Sequence, residues 1–219
     1  MNKKNIIRAL AAFLCLCTLL LCSCGKKYEF DLDADGNFVD KKNGITYDIA
    51  PFCYEAISVS EEVFATQGKR EFFAITGADT SKWISDTFGI IYFKKGTNMP
   101  PLKEMNISYV DITEDDLNVE KVTDAEKIAA LKELYENGTA CTYPGNAGLV
   151  PKVNIRLKFA DTQNGLYYVL AYFEYAQDFI DEDENGNKTN FGKKFLFNRA
   201  EGLCLAVDGL PAGVFGSNG

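Results

Sequence analysis

Histidine occurs nowhere in the 219 residues. Its absence removes Ser-His-Asp and Cys-His nucleophile pairs and every His-containing metal site. There is no Gly-rich phosphate loop ending in Lys-Ser/Thr, no G-x-G-x-x-G and no G-x-S-x-G. Nucleotide binding and nucleophile-elbow hydrolysis therefore lack their usual scaffolds. No two cysteines stand in a C-x-x-C spacing, so a dithiol redox motif or a zinc knuckle has no support. Positive charge is the scarcer sign, 23 Lys+Arg against 31 Asp+Glu. The one long apolar run, Ala9 to Leu21, has thirteen residues. That falls short of the roughly 20 a spanning helix needs.

What is there begins with that run. Lys3, Lys4 and Arg8 precede it, and Leu21-Cys22-Ser23-Cys24 follows it. A positive head, a short apolar stretch and small residues make the layout of a secretory signal. The stretch ending at Cys24 resembles the lipobox of bacterial lipoproteins; Cys22 is a less common occupant of its position. The resemblance covers only the first 24 residues. It implies cleavage after Ser23 and a diacylglyceryl thioether on Cys24, with fatty acyl chains such as palmitate. Two or more chains anchor stably, whereas one gives only marginal binding. On this reading residues 1–23 are the signal peptide and residues 24–27 a lipidated Cys with a short tether. The chain is then held on the extracytoplasmic face of the cell membrane.

Residues 1–23 carry three positive charges and no negative one, so the remaining 196 residues hold 20 against 31, a net of −11. Such a body repels phosphate backbones, which disfavours nucleic acid as a partner. With 47% hydrophobic residues the chain can bury a substantial core. Cys15, Cys17 and Cys22 leave with the signal and Cys24 is lipidated, leaving Cys53, Cys141 and Cys204. Three thiols form at most one disulfide. Cys204, within "LCLAV", reads as a small buried hydrophobe of the last strand, unpaired.

The patterning predicts strands at Ile45 to Ile49 and 89–93, and several short ones between 55 and 76. "DTSKWISDTF" (79–88) reads as a short helix bearing Trp83. "TDAEKIAALKELYENG" reads as the main helix, about 124–137, with Thr123 as cap and Gly138 as a left-handed stop. "VNIRLKF" alternates cleanly, and Asn164-Gly165 predicts a hairpin into "LYYVLAYFEYA". The expected fold is a single α+β domain over 28–210, with a C-terminal four-stranded antiparallel meander packed on that helix. A subdivision near 113–122 is the alternative, and 211–219 is expected to fray.

Two acidic stretches raise the question of a metal. Asp31, Asp33 and Asp35, then Gly36, open like an EF-hand loop, but its twelfth position is Lys42 where a bidentate acid belongs. Asp181, Asp183 and Asn185 before Gly186 repeat the pattern, with Gly192 at the twelfth position. Solvated hairpin turns are expected, with a weak calcium site at Asp31, Asp33 and Asp35 as the alternative. Glu174, inside an aromatic strand and on the face of Tyr172, is the acid singled out: desolvation there would raise its pKa. Glu174, Tyr172 and Trp83 are the candidate ligand-binding residues. No cofactor is expected. The leading expectation is a non-enzymatic, lipid-anchored binding module of the cell envelope, bound to the membrane through Cys24 and to an unknown envelope or extracellular partner. The alternative is a carboxylate-based hydrolase of glycans.

Overall fold

A computed structural model describes residues 28–115 and 117–214. The signal and lipobox readings, Cys24 included, lie outside the described residues. The first half of the chain forms β1 (Asp31–Leu32), β2 (Phe38–Asp40), β3 (Ile45–Ile49), β4 (Tyr54–Ala56), β5 (Val59–Gln67), β6 (Arg70–Ile75), β7 (Trp83–Asp86) and β8 (Ile91–Lys94). The second half forms β9 (Tyr109–Glu114), β10 (Leu117–Val122), helix α1 (Ala125–Asn137), β11 (Thr139–Cys141), β12 (Pro151–Asp161) and β13 (Leu166–Tyr175). It ends with β14 (Ile180–Glu182), β15 (Lys188–Asn190), β16 (Lys194–Asn198) and β17 (Leu203–Ala206).

Seven strands make a first antiparallel sheet in the order β1-β2-β3-β8-β7-β6-β5. Its two ends meet. Phe30 N–H donates to the Thr66 carbonyl (2.7 Å) and Thr66 N–H to the Tyr28 carbonyl (2.8 Å), so the segment leading into β1 runs parallel along β5. The sheet thus curls shut, which removes its open edges there. Phe30, Phe38, Tyr47, Phe72, Ile84 and Tyr92 fill the interior, with rings in edge-on and tilted contact.

The second sheet runs β10-β9-β12-β13-β16-β17-β11, with β4 added beside one end of β13. Its inner face carries Ile155, Leu157, Phe159, Leu170, Leu196 and Leu205. Against that face pack Ile128 and Leu131 of α1, Leu102 and Met105 of the preceding segment, and Ile75, Trp83 and Ile91 from the outside of the first sheet. Its outer face has an apolar end, where Phe173, Tyr175, Phe195 and Cys204 lie under Tyr143, Phe179 and Phe191.

This overturns the expected α+β class. The described residues are 47% strand and 11% helix, a curled, sandwich-like arrangement of antiparallel sheets. Strands β12, β13, β16 and β17 are neighbours in that order, but they are the middle of a larger sheet, and α1 covers only part of it. Residues 79–88 are not helical. Trp83 to Asp86 form β7, in which all four residues are buried. Trp83 faces the second sheet while Ile84 faces the first sheet's interior. A strand covered on both faces loses its period-two signature, and that loss invited the helical reading. The segment 113–122 is a hairpin inside the second sheet. Val214 is 1% exposed and Lys127 donates to the Gly213 carbonyl, so residues 211–214 belong to the packed body.

Candidate functional site

The acidic triad does not converge. Asp31 pairs with Lys41 (3.0 Å) and Asp35 with Lys95 (3.3 Å). The Asp33 carboxylate turns onto its own loop and accepts from Asp35 N–H (3.0 Å), Asn37 N–H (2.8 Å) and the Asn37 side-chain amide (2.9 Å). Those Asn37 bonds hold its pKa below the usual carboxylate value. Asp183 repeats the device with Asn185 and Asn187. Among the described residues no three His, Cys, Asp or Glu side chains gather as a metal-ligand group.

Of the other three candidates, Trp83 stands apart from Glu174 and Tyr172. Trp83 is 7% exposed and its indole N–H donates to the Asn164 carbonyl (3.0 Å), so it is a core pin between the sheets, unable to stack on a ligand. Tyr172 is buried in the main core. Burial first, then the charge of Glu174, pushes its pKa up to about 12. Glu174 is half-buried near the end of β13, directly opposite Lys194 on β16. Glu174 and Tyr172 are therefore neighbours, but the pair sits against a lysine-bearing strand and lines neither of the two hollows described below.

Two hollows among the described residues bear on a candidate site. One, of about 450 Å³, lies between Glu55, Val59, Asp86 and the exposed Phe88. Its acids already have partners: Glu55 pairs with Arg156 and Lys158, and Asp86 with Arg70 and the Tyr92 hydroxyl.

The larger hollow is a groove of about 600 Å³ where the last turns of α1, β11, the end of β17 and β15 meet. Its walls are built from distant parts of the chain. The helix lines the groove with Glu133, Leu134 and Asn137, while Ile128 and Leu131 face the core. Gly138 then lets the chain pass close to β17: a Cβ there would stand 2.8 Å from Leu205 Cβ. It adopts φ −63°, ψ 147°, so it ends the helix by close approach and not in the expected left-handed conformation. The cap at the other end is also corrected: Asp124, not Thr123, accepts from Glu126 and Lys127 N–H (both 3.0 Å). The far wall is Thr189, Asn190 and Phe191, and the floor runs through Val207 and Asp208.

The chemistry of the groove is acidic and amide-rich. Glu133 and Asp208 line it with no Lys or Arg among the lining residues. Neither carboxylate forms a hydrogen bond or ion pair among the described residues; only the backbone carbonyl of Asp208 is engaged, by Lys194. The Asn190 amide is already engaged, donating to Asp178 and accepting from Gly192 N–H, so the Glu133 and Asp208 carboxylates and the Asn137 amide are the groups that suit hydroxyl- or amine-bearing ligands. No sequence signal marks these residues: they lie on a helix, a hairpin and a strand end, and converge only through the fold.

No family model matches the chain, and neither a curated protein nor a solved structure matches it. Among the described residues no helix is long and apolar enough to cross a membrane.

Proposed function

We propose that this protein is a lipid-anchored, extracytoplasmic binding module of the bacterial cell envelope that takes a polar, neutral or cationic ligand in the groove beside α1. The observation that carries the binding role is the groove itself, with two unengaged carboxylates and no basic side chain in its lining. A pocket with convergent polar groups is the natural place for a ligand, and the two carboxylates favour a donor-bearing one. The anchoring role rests on the resemblance of residues 1–24 to a lipoprotein signal and on the acidic body that follows. Lipid on Cys24 supplies the membrane affinity that a body of net −11 does not.

The same two acids favour one second reading, hydrolysis of a glycan, because that reaction is run by two carboxylates in one cleft. Glu133→Gln and Asp208→Asn separate the two. A binding module loses affinity by about tenfold or more in calorimetry against a panel of oligosaccharides and amines, and the wild type leaves the bound ligand intact. Product released by the wild type and abolished in both variants would establish the hydrolase. Anchoring is tested by Cys24→Ala, which should abolish incorporation of labelled fatty acid. Label retained in that variant would sink the lipoprotein reading.

A further inference from the structure

We propose that Cys141 and Cys204 form a cross-strand disulfide that staples the edge strand β11 to β17 when the chain enters an oxidising compartment. The register carries the argument. In the antiparallel pairing of β11 with β17, Cys141 stands directly opposite Cys204. Residues so placed share one face of the sheet, and their Cα atoms lie about 4.5 Å or about 5.5 Å apart, depending on the hydrogen-bonding class of the pair. Both separations fall within the roughly 4.4–6.8 Å that a disulfide spans. The Cys141 side chain already turns toward its partner: its thiol lies 3.8 Å from the Cys204 carbonyl oxygen.

The third thiol is excluded by the fold. Cys53 belongs to the inner core cluster, while Cys204 lies in the outer-face cluster with Cys141 packed against it. The sheet stands between them. Of the three pairings that three cysteines permit, only one is in register.

Access orders the steps. Cys204 is 2% exposed, whereas Cys141 is half-buried. Burial raises the pKa of both thiols, so Cys141, the reachable one, reacts first. Its thiolate attacks a disulfide donor, an oxidised dithiol oxidoreductase or a small disulfide, and forms a mixed disulfide. The Cys204 thiolate then displaces the donor sulfur. The protein loses two electrons and two protons, and the donor leaves as its reduced thiols. The bond closes a loop of 63 residues in sequence separation. It also fixes the groove wall formed by Thr139 and Ala206, which pair with each other two positions along the same ladder.

The chemistry of the pair stands on geometry alone; its formation in the cell rests on the export reading, so the test has two arms. The purified chain from Gly25 onward, which holds only Cys53, Cys141 and Cys204, is incubated with oxidised dithiothreitol, then digested and weighed. The expected result is the loss of two hydrogens and one linked peptide pair joining Cys141 to Cys204. The link should persist in Cys53→Ala and disappear in Cys141→Ala and Cys204→Ala. The oxidised protein should melt about 5–15 °C above the reduced one. Linkage through Cys53, a mixed disulfide left unresolved on Cys141, or covalent dimers would overturn the pairing. In the second arm, thiols are trapped by acid and alkylated in cells making the full chain or the chain without residues 1–23. Oxidised Cys141–Cys204 in the first only is expected. Free thiols in both, with the purified protein pairing normally, would overturn formation in the cell and leave the pairing standing.

Discussion

Asp33, Asp40, Asp161 and Asp183 each spend a carboxylate on the loop that follows it. Asp40 accepts from Asn43 N–H (2.9 Å) and the Asn43 side-chain amide (2.7 Å), and Asp161 from Asn164 in the same two ways (3.1 and 2.8 Å). These bonds satisfy loop donors that would otherwise need water, and they set the turns between strands. Asp40 also accepts from the Tyr28 hydroxyl (2.5 Å) and is fully buried. Burial alone would raise its pKa, but the bonds from Tyr28 and Asn43 outweigh it and hold it below the ordinary value. A depressed folded-state pKa means stability that is present above the unfolded value, near 3.8, and lost as pH falls through the folded one. Asp40→Asn should therefore cost about 1–3 kcal/mol at pH 7. The deficit relative to wild type should shrink below about pH 4, as the wild-type carboxylate protonates. Urea midpoints at pH 7 and pH 3 decide it, and an equal deficit at both would remove the charge from the explanation.

At the scale of elements, α1 is held by tertiary contact as much as by its own sequence. Asp124 supplies the start, and the end is decided by the strand beneath it. Alanine is a better helix residue than glycine by roughly 1 kcal/mol, yet Gly138→Ala should destabilise. The new Cβ would meet Leu205 Cβ at 2.8 Å and the Leu134 carbonyl at 3.1 Å, neither of which is the loose tip of a side chain. A loss of about 1–3 kcal/mol in denaturant unfolding is expected. A neutral or stabilising effect would mean that the helix end slides off β17. The strand at 83–86 belongs to this scale too: β7 is a strand because β6 and β8 flank it, and its own residues do not announce that.

At the scale of the whole molecule, the sheets interlock through the hairpin between β12 and β13. Gly165 sits at φ +68°, and a Cβ there would fall 2.5 Å from the Thr76 carbonyl oxygen and 2.8 Å from Ile75 Cγ2 on the first sheet's flank. Its own carbonyl accepts from Ile57 N–H (2.9 Å), and the Asn164 carbonyl accepts from Trp83. The only Trp is thus a reporter of contact between the sheets. Its fluorescence and the far-ultraviolet dichroism should lose their native signals at the same denaturant concentration, the mark of one cooperative unit. A fluorescence transition well ahead of the dichroism would show the sheets parting first.

By itself the sequence determined the local matters. It ruled out histidine chemistry, placed the turn at Asn164–Gly165, and marked the long alternating strands, because turn conformation and period-two patterning are properties of neighbouring residues. Only the tertiary structure decided the fold class, the burial of Trp83 between two sheets and the dispersal of Asp31, Asp33 and Asp35 to separate partners. It alone placed Glu133 and Asp208 on one groove and Cys141 opposite Cys204. Each of these joins residues far apart in the chain. Strand order and register are set by which apolar faces can be covered at once, a condition that no short window of sequence contains.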